Sequence, residues 1–410
     1  MTSRAEPTAG TSVHPLADGR FRWFFAGRAA SLLGSSMVWV ALSFAILEAS
    51  GRAQDLAVVM ACYTVPLALL QMVGGAAADR YPRRTVLVVS SLGGALTQGA
   101  MAALLLTGSY ALLPVAALGV LNGTLQAFSG PALIGIVPEL VERPAVQRAN
   151  ALLAATRNGT KLGGPAVSGL LVAGAGGGWA IAVDALAYLV AAVCLLRVQV
   201  RGRARAAGGS VLRDVREGWS EFVSRSWVWT GSLALAGVNF LQAGAWGLLG
   251  PILAEDTIGA QGWGLVLSAG AAGTLLTSAL MYRLTFGRLL FAGHAFLVIG
   301  ALPLVLLGLG VPTPVLAAGS FLSGAAQGVY GVAYETSIHE HIPPVSMSRV
   351  SSIDAMGAYV TLPLGQLAVV PATAAFGDAQ VAVVAGVLYA VVTAAALLVP
   401  GIRHLPHARS

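Results

Sequence analysis

The 410-residue chain is short of charge: Asp, Glu, Lys and Arg make up 10% of it, against 56% hydrophobic residues. Soluble domains carry about 25% charged residues, so this chain cannot coat a water-facing surface, and a soluble enzyme is excluded. Its two cysteines, Cys62 and Cys194, both lie in apolar runs. They rule out a disulfide framework and read as packing thiols. Lysine is almost absent, Lys161 being the only one among 24 basic residues. No GxxxxGK[ST] loop is present, so the chain is not an ATP-driven pump by itself. HExxH, a zinc-type Cys/His cluster and a GxSxG elbow are missing as well. The net charge of +7 could point to nucleic acid. The arginines, however, sit in the gaps between apolar runs, with no basic helix interleaved with aromatics to follow a phosphate backbone. No nucleic-acid partner is expected. Residues 1–19 contain no apolar stretch and read as a cytoplasmic tail without a cleavable signal.

The chain is rich in apolar runs near the roughly 20 residues that a bilayer crossing requires. Their limits predict twelve helices: 21–47, 56–78, 85–107, 111–136, 147–173, 179–198, 227–253, 262–282, 287–309, 314–337, 350–375 and 379–399. An even number puts both termini on one side. The tails and even-numbered gaps hold Arg80, Arg83, Arg84, Arg143, Arg148, the arginines from Arg197 to Arg225, Arg283, Arg288, Arg349, Arg403 and Arg409. The odd-numbered gaps hold Arg52 beside acidic Asp55, Glu255, Asp256 and Asp378. By the positive-inside rule the arginine side is cytoplasmic. Trp23, Trp179, Trp227, Trp229 and Trp263 fall where interfacial indoles are expected. The lipid bilayer is therefore the first partner.

The organisation reads as a cytoplasmic tail over 1–20, a six-helix bundle over 21–198, a linker over 199–226, a second six-helix bundle over 227–399 and a tail over 400–410. In the linker, Val211, Val215, Trp219 and Phe222 share a helical face opposite Arg213, Arg216 and Glu217, the pattern of an interfacial helix, with a plain solvated linker as the alternative. The halves resemble each other: at an offset of 201, Gly123, Gln126, Gly130, Ala132, Glu139, Arg148, Ala154, Thr160 and Gly164 align with Gly324, Gln327, Gly331, Ala333, Glu340, Arg349, Ala355, Thr361 and Gly365. Parallel repeats of this kind enclose a midplane cavity between two bodies that rock. The fold class is all-α, a polytopic membrane protein of twelve helices in two pseudo-symmetric bundles.

Three sets of residues carry chemistry. Gly75-Ala-Ala-Ala-Asp79-Arg80-Tyr81-Pro82-Arg83-Arg84 joins spans 2 and 3. Gly75 permits close helix approach, Asp79 can pair with an arginine or a helix N-terminus, and Arg80, Arg83 and Arg84 can anchor among head groups; a loop that only fixes topology is the alternative. In span 5, Arg157 and Lys161 lie four apart, in line with Gly164 and Ser168. Lys161 is about 20 Å along that helix at 1.5 Å per residue, near mid-bilayer. A charge there costs about 2.5–3.5 kcal/mol on insertion scales, so it should face a wet cavity or a carboxylate; Lys161, and less so Arg157, reads as a substrate or coupling residue, with a structural ion-pair member as the alternative. Asp184, Glu335 and Asp354 are the candidate acidic partners and proton carriers. Glu335, Arg349 and Asp354 also share a membrane depth with Asp79, as an inner gate network would. Third, Gly163, Gly164, Pro165 and Gly169 make span 5 pliant or tightly packed.

The span 2–3 loop resembles that of the major facilitator superfamily, G-x-x-x-D-R-x-G-R-R, with Pro82 in place of its glycine. FRWFFAGRAASLLGSS, AFSGPALIGIVPELV, RANAL and AYETSIHEHIPPVSMSRVSSID are similar to bacterial exporters of the enterobactin-exporter and macrolide-efflux type. The resemblance implies that Asp79 with Arg83 and Arg84 latches the cytoplasmic side. It also implies that spans 1, 4, 7 and 10 line a cavity, with Asn122, Gln126, Asn239, Gln242, Gln327 and Tyr330 as neutral hydrogen-bonding walls. Gly164, Pro165 and Gly169 resemble part of the antiporter signature, in which Ala151 and Thr160 replace two glycines; they would be the hinge. Leu121-Asn122-Gly123-Thr124 lacks the basic residue usual in span 4. The expected function is secondary, proton-coupled export of a small organic molecule by a monomer in a bacterial inner membrane. No cofactor is expected, the proton gradient being the energy source. A proton-coupled importer, or a polytopic membrane enzyme or sensor, is the alternative.

Overall fold

A computed structural model of the chain describes residues 15–142, 145–199, 219–281, 283–284 and 286–406. The side chains of residues 72–73, 75–79, 134, 344–346, 348–349 and 352 also lie outside the description. The expected amphipathic segment over 211–222 thus falls largely outside the described residues, as do the side chains of Gly75, Asp79 and Arg349. Twelve long helical segments are present among the described residues: α1 (Gly19–Ser50), α2 (Ala53–Arg80), α3 (Arg83–Leu106), α4 (Leu112–Leu140), α5 (Val146–Ala175), α6 (Gly177–Leu196), α7 (Ser226–Thr257), α8 (Gly259–Leu280), α9 (Leu289–Gly308), α10 (Thr313–His341), α11 (Pro344–Phe376) and α12 (Asp378–Ala396). Eleven contain a stretch long and apolar enough to cross a membrane. The exception is α5, whose 30 residues carry Arg148, Arg157 and Lys161. Two segments depart from α geometry: α7 is π-helical over Gln242–Leu248 and α9 is 3-10 over Val298–Ala301.

Local chemistry explains the ends. Asp18 caps α1 by accepting a hydrogen bond from the Arg20 backbone N–H at 2.8 Å. The Arg20 guanidinium bonds the same carboxylate and holds its pKa below the usual Asp value. Among the described residues six glycines adopt positive φ: Gly51, Gly108, Gly176, Gly259, Gly310 and Gly377, at 62° to 90°. They occupy all six turns on the side opposite the arginines. A left-handed residue ends a helix in minimal chain length, and glycine alone adopts it without a Cβ clash. Three of the turns repeat the other three, the pairs being 51/259, 108/310 and 176/377.

The pairing of helices shows the same duplication. In the first half, α2 packs on α4, and α1 on α5 and α6; in the second, α8 packs on α10, and α7 on α11 and α12. Backbones meet at repeat-related glycines. A Cβ on Gly123 would lie 2.1 Å from the Tyr63 carbonyl of α2, and one on Gly324 would lie 1.9 Å from the Gly270 carbonyl of α8. Likewise Gly164 abuts Ser36 of α1, and Gly365 abuts Phe240 of α7. Ala132 and Ala333 are both fully buried.

Across the bundles, α2 meets α11 and α5 meets α8. These contacts lie in the halves away from the arginines. Gly264 of α8 fits against Pro165, Gly169 of α5 fits against Ala260, and the Ala166 N–H donates to Ser268 Oγ at 3.1 Å. Thr64 of α2 donates to Gln366 Oε1 of α11 at 2.8 Å. Apolar clusters on this side draw residues from both bundles, such as Val40 and Phe44 with Ala254 and Trp263, or Leu42 and Leu56 with Leu249 and Val369. On the arginine side each cluster belongs to one bundle: Phe21, Leu87, Ile136 and Leu195 in the first, Trp227, Leu290, Ile338 and Ile402 in the second. Among the described residues the two bodies therefore share apolar packing at one end and not at the other.

Two expected interfacial tryptophans are corrected. Trp227 and Trp263 are buried: Trp227 is edge-on to His341, and Trp263 packs on Trp246 and Gly250. Trp227 fills space inside the second bundle and Trp263 the cluster shared with α1, while Trp23, Trp179 and Trp229 remain exposed.

Candidate functional site

The gap on the arginine side leads into a cavity of about 910 Å³, its open mouth included, in the first bundle. Its walls carry Arg28, Ser31 and Trp39 from α1, Tyr63 and Gln71 from α2, Gln98 from α3, Asn122 and Gln126 from α4, Asp184 and Tyr188 from α6, and Tyr359 from α11 across the gap. Asp184 is buried and accepts a hydrogen bond on Oδ2 from Gln98 Nε2 at 2.7 Å, while its Oδ1 has no partner among the described residues. Gly34 of α1 leaves room for this carboxylate, since a Cβ there would lie 2.4 Å from Oδ1. Gln126 donates to the Tyr188 hydroxyl. Asn122 is buried, and its Oδ1 has no hydrogen-bond partner among the described residues. Trp39 and Tyr63 meet edge to face with centroids 5.2 Å apart.

The second bundle has a related cavity of about 560 Å³, lined by Gln242, Trp246, Thr274, Ser320, Ser323 and Gln327 among others. Among the described residues no charged one lines it. Gln327 is the repeat equivalent of Gln126, and Gln242 opens the π-helical turn of α7. A π turn widens the helix and often marks functional positions; here it turns Gln242 and Trp246 to the cavity.

The expected site residues thus divide. Asn122, Gln126, Asp184, Gln242 and Gln327 lie on cavity walls. Tyr330 does not: it is buried in the core of the second bundle, stacked on Tyr334 and edge-on to His294, because its position on α10 turns it toward α9. Asn239 is half-buried and lines neither cavity. Asp354 accepts from the Tyr334 hydroxyl at 3.0 Å and from Ser232, tying α7, α10 and α11 together. Glu335 is exposed on a stripe with Gln327 and Gly331. Neither Asp184 nor Asp354 is brought to Lys161 as an ion-pair partner: the salt bridges found among the described residues join Asp18 to Arg20, Glu139 to Arg83 and Glu221 to Arg225.

Lys161 and Arg157 occupy the face of α5 turned to the other helices. Gly164 and Ser168 on that face meet α1, where Ser168 Oγ donates to the Met37 carbonyl at 2.8 Å. Pro165 and Gly169 meet α8. At 100° per residue Lys161 projects between these two contact lines, toward the gap and not toward lipid. Both residues are exposed, and neither is among the wall residues of either cavity. The glycines and proline do not break α5, which is helical throughout; Gly164 and Gly169 act as contact points, and Gly163 has open space beside it.

Expected latch residues also bond within one bundle. Arg83 donates to Glu139 Oε1 at 2.8 Å and to the Gly135 carbonyl of α4. Arg84 donates to the Leu195 and Leu196 carbonyls at the end of α6, at 3.0 and 2.7 Å. With the arginine ends of the bundles apart, these side chains satisfy the nearest carbonyls and carboxylate. Arg80 is exposed. Sequence reading missed Arg28, an arginine about 14 Å into α1 at 1.5 Å per residue; its place inside an apolar run was the available signal.

The sequence profile of the Major Facilitator Superfamily matches residues 24–366. The chain belongs to the major facilitator superfamily. It is a multi-pass membrane transporter, similar to the multidrug efflux pump Tap of Mycolicibacterium fortuitum (29% identity over 84% of this chain and 87% of that one). Tap of Mycobacterium tuberculosis is 27% identical over 84% of each chain. Among solved structures, the nucleoside transporter NupG aligns with a TM-score of 0.73 at 12% identity, covering 92% of this chain and 98% of that one. A bacterial homologue of the iron transporter ferroportin in an inward-facing state aligns at 0.69 and 17% identity, with the same coverage. The superfamily fold fits the pairing seen here, two six-helix bodies in contact at one end.

Proposed function

We propose that this transporter exports small organic molecules from a bacterial cytoplasm in exchange for protons, by alternating exposure of the cavity between its bundles. The observation that carries the reading is the division of the apolar clusters: shared between bundles on the glycine-turn side, separate on the arginine side. Positive-inside charge puts the arginine side in the cytoplasm, with both termini, and the open cavity then faces the cell interior. Rocking about the α2–α11 and α5–α8 contacts would close that side and open the other. The small residues Gly169 and Gly264, with Pro165, give α5 and α8 a smooth surface on which to roll. Asp79, Arg83 and Arg84 are the latch of the state closed on the cytoplasmic side.

Asp184 is our candidate for the coupling proton, since a carboxyl on the cavity wall with one unpartnered oxygen can exchange a proton as the cavity is wetted and shut. Glu335 is the second candidate, exposed on α10 of the other bundle. One charge moving down 100 mV releases about 2.3 kcal/mol, enough for roughly a fiftyfold substrate gradient. The similarity to pumps named for multidrug efflux favours export. Everted vesicles, whose interior is acidified by respiration, should accumulate substrates from a panel of organic compounds and lose them on adding a protonophore. Accumulation by intact cells alone would identify an importer and overturn the export reading.

A further inference from the structure

The first bundle carries unpaired positive charge where the cavity opens. Gly164 of α5 abuts Ser36 of α1, and the two helices run in the same direction. Counting back from that contact, Arg157 lies seven residues below it on α5 and Arg28 eight below it on α1, at nearly one depth. Arg28 is within electrostatic reach of Arg157 and of Tyr188. Lys161 sits one turn deeper than Arg157, level with Ser31 to Ser35, of which Ser31 and Ser35 line the cavity. None of the three cations has an ion-pair partner among the described residues. On the same bundle the one carboxylate of the cavity wall is Asp184, held by Gln98 on α3. Across the gap stand Glu335, exposed, and Asp354, bonded to Tyr334 and Ser232.

Three like charges gathered at membrane depth repel one another, a cost that a bound anion relieves. The edge-to-face pair of Trp39 and Tyr63 at the deeper end of the cavity offers flat apolar surface to an aromatic or alicyclic body.

We infer that the transported molecules are organic anions, with a carboxylate or a similar acidic group bound by Arg28, Arg157 and Lys161 and an apolar body against Trp39 and Tyr63. This assignment rests on the transport reading above and specifies its substrate class. Naphthalene-2-carboxylate and the matched cation naphthalen-2-ylmethylammonium separate charge from shape. Binding to the purified protein, read by ligand-induced thermal stabilisation, should be at least tenfold tighter for the carboxylate. Lys161→Gln should weaken carboxylate binding about tenfold and Lys161→Arg less than threefold, Arg157→Gln serving as the second variant. Each variant's thermal midpoint without ligand reports its folding. Equal or tighter binding of the cation overturns the assignment. So does native carboxylate binding in both glutamine variants, or no binding of either probe up to about 10 mM. The two readings fail separately in proteoliposomes. Carboxylate that binds through Lys161 but is not moved by a proton gradient leaves the substrate class standing and defeats proton-driven export. Cation pumped without carboxylate binding does the reverse.

Discussion

The two bundles share a skeleton and differ in what they present to the gap between them. Gly123 and Gly324 seat α4 on α2 and α10 on α8 with nearly the same clearance, and Gly164 and Gly365 do so for α5 and α11. Gln126 and Gln327 stand at equivalent points of two cavities. Yet the first cavity holds Arg28, Asp184 and four aromatic side chains, while the second is walled by neutral amides, hydroxyls and Trp246. Close packing tolerates little variation at backbone contacts, so a duplicated body keeps those. A cavity wall makes few contacts and is free to diverge. The comparison separates residues that build the rocking bodies from residues that meet the solute.

The largest expected effect falls on the shared skeleton. Gly123→Val and Gly324→Val should each destabilise by at least the upper end of the about 1–3 kcal/mol typical of overpacking, because the new side chain meets backbone. Matched drops in thermal midpoint would confirm the equivalence, and a large drop in one bundle only would break it. Next come the walls. Asp184→Asn should lower proton-driven transport at least tenfold, about 1.4 kcal/mol in barrier, while leaving solute exchange measurable. Gln327→Leu should change either rate less than threefold. Comparable losses of driven transport would show that both cavities carry the coupling chemistry.

The smallest effect concerns the glycine-turn side, where the Tyr110 hydroxyl donates to Asp55 Oδ2 at 2.8 Å. Burial first, then the Asp55 carboxylate, raises the Tyr110 pKa above the ordinary value of about 10. The folded state therefore holds this proton more tightly than the unfolded one. The resulting stability is present below about pH 10 and fades as pH rises toward and through the raised value. Thermal midpoints of the native protein should fall faster between about pH 9 and 11 than those of Tyr110→Phe. Parallel curves would remove Tyr110 as the source.

Helix number, the side rich in arginine and the offset of 201 were legible because each is a repeated, one-dimensional signal. The cavity residues Gln126 and Gln327 could be found by that offset. The left-handed glycines could have been found the same way, since Gly108 and Gly310, like Gly176 and Gly377, recur at nearly that spacing. What failed was direction around a helix. Tyr330 was expected on a wall and lies in the core, because two-sided apolar helices in a membrane give no amphipathic stripe to orient them. Trp227 and Trp263 were misread for the same reason. Arg28 escaped notice because one charge in a long apolar run changes its hydropathy little.

By itself the sequence determined that this chain lives in lipid, crosses it many times and is built twice over, since apolar length, arginine placement and recurring glycines survive without any knowledge of contacts. Only the tertiary structure decided which faces meet and which stay apart. The shared clusters at one end, the separate ones at the other, and the convergence of Arg28, Arg157 and Lys161 from two helices depend on rotations about helix axes. Those rotations are fixed by packing between segments far apart in sequence, which no local pattern encodes.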